Sequence, residues 1–133
     1  MKAVLDTNVL VSGLINTHQA PGRIVDRVRT RDLQLVVDDR ILSEYRSVLL
    51  GNRMRKWIDL ADARDLLSFL YFDSEYVVAN VSIQGLPDTD DVPFIEVALT
   101  AAVPLVTGNK KHFPASACQG HRIITPADFV CLL

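Results

Sequence analysis

Acidic residues carry most of the chemistry this chain can do. Asp6 follows directly on the apolar run Ala3-Val4-Leu5 and precedes Thr7-Asn8-Val9. Such a run reads as the first strand of a parallel sheet, which leaves Asp6 at the carboxyl end, the edge where open α/β sheets bind ligands. A carboxylate there is costly to desolvate unless a cation or hydrogen bonds compensate it. Two further acidic positions stand downstream: Glu44, in Ser43-Glu44-Tyr45, and the cluster Asp88-Thr89-Asp90-Asp91. Carboxylates converging without His or Cys favour Mg²⁺ or Mn²⁺ over Zn²⁺. Such a set suits phosphodiester hydrolysis, in which bound ions activate water and neutralise phosphoryl charge; two-metal hydrolases hold their ions roughly 4 Å apart.

Helical spacing puts Glu44 at the edge of an apolar stripe formed with Ile41, Tyr45 and Val48. The alternative is an ion pair with Arg40 or Arg46. Capping and the helix dipole explain one acid before the helix that opens at Val92, but Asp88, Asp90 and Asp91 exceed that need. Their mutual repulsion is what a divalent cation would relieve. Asp91 shares a helical column with Ile95, Ala98 and Ala102, so it is expected to point inward and is the first choice of ligand in the cluster. Next, Pro104-Leu105-Val106 reads as a buried strand ending in Thr107-Gly108-Asn109. Thr107 and Asn109 can hydrogen-bond a carboxylate or a water, although Gly-Asn is also an ordinary turn pair.

The elements that must position these groups alternate. Strands are predicted over Lys2–Leu5, Leu33–Val37, Tyr76–Ala79, Pro104–Thr107 and Arg122–Ile124. Helices are predicted over Val9–Leu14, Arg23–Arg31, Arg40–Leu50, Ala61–Tyr71 and Val92–Ala102, with a last one opening at Thr125-Pro126. Strands alternating with helices imply βαβ units and a mostly parallel sheet covered on both faces. The loops with the strongest turn chemistry, Asn16–Gly22 and Gln84–Asp91, are the ones able to border a site.

With 133 residues, 49% of them apolar, the chain is expected to form a single packed domain over residues 1–133. No apolar stretch reaches the ~20 residues of a membrane span. No secretory leader pattern opens the chain, and two cysteines, Cys118 and Cys131, are too few for a disulfide framework. A reduced, cytoplasmic protein is the expectation. Net charge is only −2, but nine bases face five acids between residues 21 and 56, and the rest of the chain is acidic. That asymmetry suits a phosphate backbone led towards a metal-binding pocket, or else a set of solvated helix faces.

Taken together these residues resemble the PIN-domain family, metal-dependent ribonucleases that include the toxin halves of bacterial toxin–antitoxin pairs. Val4-Leu5-Asp6-Thr7-Asn8-Val9-Leu10 is similar to the family's first motif, in which the Asp is a metal ligand and the Asn orients it. Glu44 matches the second acid. Asp88-Thr89-Asp90-Asp91 with Phe94-Ile95-Glu96-Val97-Ala98 looks like the third motif, and Thr107-Gly108-Asn109 falls where many members carry Ser/Thr-x-Asp. The resemblance spans nearly the whole chain in the expected order. It implies a three-layer α/β/α fold, Mg²⁺- or Mn²⁺-dependent cleavage of single-stranded RNA, a homodimer, and a small antitoxin that covers the site. Asp6, Glu44 and Asp91 are then the primary ligands, Asp90 or Asp88 assists, and Asn8 and Thr107 orient. The departure is Asn109, a neutral residue where the fourth acid stands.

Two other readings compete. Asn109 is also what a degenerate PIN domain would carry if it bound RNA or a partner without cutting. A haloacid-dehalogenase-type phosphatase needs a second Asp two residues after the first, and here that residue is Asn8. Of the remaining chemistry, His18 and His121 are expected on the surface or without a role. His112 could touch RNA phosphate beside Lys110 and Lys111. Trp57 could stack on a base, though core packing is the expectation for it. The Ala61–Tyr71 helix reads as core or a dimer face.

Overall fold

The computed structural model describes residues 1–133. Five parallel strands, β1 (Lys2–Leu5), β2 (Gln34–Val37), β3 (Glu75–Tyr76), β4 (Leu105–Val106) and β5 (Ile123–Ile124), form one sheet in the order β3-β2-β1-β4-β5. Six helices connect and cover it: α1 (Thr7–Ile15), α2 (Ala20–Arg29), α3 (Asp39–Leu49), α4 (Leu60–Asp73), α5 (Val92–Ala101) and α6 (Pro126–Val130). Consecutive residues Ala3, Val4 and Leu5 are fully buried, as are Leu35, Val36 and Val37. Successive strand residues point to opposite faces, so burial of all of them means that helices close both sides. The result is the expected three-layer α/β/α arrangement.

The strand order sets the position of the site. The chain moves outward from β1 through β2 to β3, then crosses back to β4 on the far side of β1. The switch point therefore lies between β1 and β4, and the crevice outside their carboxyl ends is where such folds bind ligands. Asp6 ends one of these strands and Thr107 the other.

Local chemistry explains most boundaries. Asp38 caps α3 by accepting the Ile41 N–H at 2.9 Å, and Thr125 caps α6 from its side chain with Pro126 in the first turn. Helix α1 starts at Thr7, two residues before the apolar pattern suggests, because Asp6 already turns the chain out of the strand. Helix α2 likewise begins at Ala20, with Pro21 in its first turn. Gly22 is required there: a Cβ would stand 2.2 Å from the Thr17 carbonyl oxygen.

Two expectations are corrected. The third strand stops at Tyr76 instead of continuing to Ala79. Its partner β2 ends at Val37, where Asp38 opens α3, so after the Val77 N–H bonds the Val37 carbonyl no ladder remains. Val78 is left largely exposed. Trp57 is not core: it is 59% exposed after a short 3-10 helix, Asn52–Lys56, and Ile58 takes the buried place beside Leu49 and Ala63. In α4, Leu66 and Leu70 are core while Tyr71 lies on the surface.

A partly buried charge network ties the layers together. Arg40 donates to Asp38 at 2.8 Å and to Glu96 at 2.8 Å, and Glu96 also accepts the Ile83 N–H at 2.9 Å. Glu96 is thus the bolt joining α3, α5 and the segment that leads to Asp88. Glu96→Ala strands the Ile83 N–H and half of the Arg40 fork, and is expected to cost about 2 kcal/mol, less than a fully buried pair because Arg40 can rehydrate. Urea unfolding of the two proteins measures it.

Candidate active site

Asp6 is buried at the end of β1 and occupies the N-cap position of α1 without a capping bond from its side chain. The Thr107 hydroxyl, from the end of β4, donates to Asp6 Oδ2 at 2.7 Å, so the two sides of the switch point meet in one hydrogen bond. The same hydroxyl accepts the Asn109 N–H at 3.0 Å, which fixes its direction. Asn8 reaches across to the same loop and accepts the Gly108 N–H at 3.4 Å. Burial pushes the Asp6 carboxyl above the usual carboxylate range, against the opposing pull of Thr107 and the Thr7 and Asn8 backbone.

Glu44 comes from α3. Tyr45 beside it is fully buried and donates its hydroxyl to the Leu5 carbonyl, which anchors this turn of α3 on the end of β1. Glu44 accepts a hydrogen bond from the Thr7 hydroxyl. The ion pair considered as an alternative is absent, since Arg40 is turned to Asp38 and Glu96. Burial raises the Glu44 carboxyl, the Thr7 bond opposes this, and the charges of Asp6, Asp90 and Asp88 raise it further.

Asp91 stands at the head of α5, with Ile95 and Ala98 buried below it as the column requires. Its carboxyl is raised to about 6, first by burial and then by the Asp6 charge, with His112 pulling the other way. Asp91 Oδ2 lies 2.9 Å from His112 Nδ1 but out of line for a hydrogen bond, and this buried oxygen has no other partner. Asp88 and Asp90 are exposed. Asp88 is occupied in capping, accepting the Asp90 N–H at 2.9 Å, so it is the member of the cluster that local structure accounts for.

Convergence of the acids is partial. No three His, Cys, Asp or Glu side chains close around a common point. Each acid is instead held by a neighbour: Asp6 by Thr107, Glu44 by Thr7, Asp91 beside His112. Burial raises the Glu44 and Asp91 carboxyls, and the Asp6 charge adds to both, so Asp6 is the acid that the other two have in common. Oxygen donors near the Asp6 charge, one of them a buried carboxylate oxygen with no hydrogen-bond donor, fit a hard divalent cation.

The residue sequence reasoning undervalued is His112. Asn109 precedes a 3-10 turn, Lys110–His112, and side chains three apart in a 3-10 turn lie over one another. The Asn109 amide is 2.9 Å from His112 Nε2, and the ring's other nitrogen faces Asp91. The spacing Asn109-x-x-His112 was the available signal.

A family model described as PIN domain matches residues 2–111 of the chain. An uncharacterized protein of Methanocaldococcus jannaschii is 32% identical over 112 residues, which make up 83% of this chain and 72% of that one. In structure, the chain is similar to VapBC-1 from nontypeable Haemophilus influenzae, with a TM-score of 0.63 at 15% identity over 96% of this chain and 99% of the other. It is also similar to VapBC2 from Rickettsia felis, solved bound to a DNA fragment from its promoter, with a TM-score of 0.58 at 15% identity, covering 94% and 98%. At that identity these two likenesses concern the fold.

Proposed function

Because this chain belongs to the PIN-domain family, we propose that it is a divalent-metal-dependent endoribonuclease that hydrolyses single-stranded RNA. Its biological setting, on this reading, is the toxin half of a toxin–antitoxin pair in the cytoplasm. The likeness of fold to VapBC-1 and VapBC2 supports a small antitoxin partner. A homodimer is the proposed working unit. The observation that carries the reading is the acid set at the switch point: Asp6 fixed by Thr107, with Glu44 and Asp91 each raised by burial and by the Asp6 charge.

Asp6, Glu44 and Asp91 would hold the ion, with Asp90 at the exposed margin. When bound there, a divalent ion supplies Lewis-acid activation of water and neutralisation of phosphoryl charge. The chain's own residues do the positioning. Thr107 orients the Asp6 carboxylate through one oxygen, and Thr7 does the same for Glu44. Asn8 keeps the Gly108 turn against α1, so both walls of the crevice keep their spacing.

Lys110 and Lys111 are exposed on the 3-10 turn that also carries His112, beside the acids. They are suited to neutralising RNA phosphates at the mouth of the site. Trp57, exposed next to Arg53 and Lys56, is free to stack on a base. Replacing Lys110 and Lys111 together by Ala is expected to weaken RNA binding several-fold and to lower the slope of log affinity against log salt by roughly 1.5. Fluorescence anisotropy in Ca²⁺ at several salt concentrations reads both quantities.

The reading is tested by incubating labelled single-stranded RNA with the purified protein in Mn²⁺, Mg²⁺ or EDTA. Cleavage with an ion and none in EDTA is the expected pattern. Cleavage that persists in EDTA removes the metal from the chemistry. RNA binding without product in either ion leaves a binding module, with Asn109 as the position that distinguishes it.

A further inference from the structure

His112 places a nitrogen among the oxygens of the proposed cation site. One side of its ring rests on Asn109 and the other faces Asp91, each at 2.9 Å. The Asp91 contact is out of line for a hydrogen bond, yet it is the nearest polar neighbour of an otherwise unpartnered buried oxygen. Two donor atoms held side by side in this way have the spacing of adjacent ligands. Bonds of about 2.1 Å meeting at a right angle put their ligand atoms about 3.0 Å apart.

Asn109 supplies the orientation such a ligand needs. An imidazole that binds metal through one nitrogen almost always gives its other N–H to an oxygen. A half-turn of the Asn109 amide exchanges its oxygen and nitrogen without moving any other atom. The Nε2–H then donates to the amide oxygen, and the Nδ1 lone pair is left free on the side of the ring that lies beside Asp91. Read this way, Asn109 does not leave a gap where a fourth acid would stand; it positions a different donor.

We propose that His112 Nδ1 and Asp91 Oδ2 are neighbouring ligands of one divalent cation, oriented by Asn109, and that the site consequently prefers Mn²⁺ and its transition-metal neighbours to Mg²⁺. The proposal rests on the metal-dependent reading above and gives that reading an ion selectivity. Mg²⁺ is bound through oxygen and keeps its waters, whereas an imidazole donor suits the transition ions. Asn109→Asp adds a negative charge and an oxygen donor, and is expected to move the preference back toward Mg²⁺.

The test uses the purified full chain without RNA. Electron spin-echo modulation of bound Mn²⁺ is expected to show a directly coordinated imidazole nitrogen, lost in His112→Gln. Calorimetry is expected to show Mn²⁺ affinity falling at least ~10-fold in His112→Gln while Mg²⁺ affinity hardly moves. Asp6→Asn, by contrast, weakens both ions. If wild-type protein binds Mn²⁺ with no nitrogen modulation, and only Asp6→Asn loses the ion, His112 is not a ligand and the metal-dependent reading stands without it. Failure of the wild type to bind either ion removes both. The spectroscopic arm needs no variant, so a folding defect in His112→Gln does not decide the outcome.

Discussion

Asp6→Asn is expected to abolish RNA cleavage while leaving the protein folded and at least as stable as the parent. The two effects have one cause. In the metal-free protein the surroundings of Asp6 disfavour its ionised form: burial raises its pKa despite the Thr107 bond. An amide of nearly the same shape keeps the acceptor oxygen for the Thr107 hydroxyl and carries no charge to desolvate. The unfolding midpoint should therefore hold or rise. Activity should fall at least ~10³-fold, equivalent to about 4 kcal/mol of transition-state stabilisation, because an anionic ligand is gone from the ion's side. Cleavage rates and urea midpoints measured on the same preparation check the pair. Opposite movement of function and stability is what separates a functional carboxylate from a structural one.

Mn²⁺ is expected to reverse the pH dependence of stability. Asp6, Glu44 and Asp91 all have raised folded-state pKa values, Asp91 to about 6. Unfolded carboxyls titrate near 4, so between roughly 4 and 6 the folded protein holds more protons than the unfolded one. Stability then falls as pH rises: the contribution is complete below the unfolded values and is lost as pH climbs through about 6. Without metal, the melting temperature should be higher at pH 5 than at pH 7, with a shallower slope in Asp91→Asn. A bound cation requires the deprotonated acids, so its stabilisation grows with pH. At 100 times its dissociation constant it contributes about 2.7 kcal/mol. Thermal melts at both pH values, with EDTA and with Mn²⁺, should cross. EDTA melts that rise with pH would contradict the strained acid cluster.

Much of the scaffold was legible because its signals are local and strong. A short apolar run before Asp6 marks β1, and turn chemistry with helical periodicity marks α3 and α5. The order of acids along the chain then places them at one edge of a parallel sheet. What was not legible depended on partners elsewhere. Val77 to Ala79 has strand-like residues, but β2 ends too early to pair with them. Trp57 looks like core until Ile58 is seen to fill that place. Glu96 reads as one charge in an apolar helix; its partners Arg40 and the Ile83 N–H lie 56 and 13 residues away. The basic excess between residues 21 and 56 is partly internal: Arg27, Arg31 and Arg40 are paired with Asp32, Asp73 and Asp38. Around the acids, Asp6, Glu44, Asp91 and Thr107 were readable from position, and the structure gives each a hydrogen bond or charge neighbour across an element boundary. His112 was not, because its role depends on a 3-10 turn that folds it back over Asn109.

The most direct measurement is anomalous diffraction from crystals of the wild-type protein soaked in Mn²⁺. A Mn²⁺ peak in the crevice between the ends of β1 and β4, within bonding distance of the Asp6 and Asp91 carboxylates and on the Glu44 side, is the expected result. A map in which Mn²⁺ occupies other sites while Asp6 keeps Thr107 as its only side-chain partner would contradict a metal centre at this switch point, and with it the nuclease.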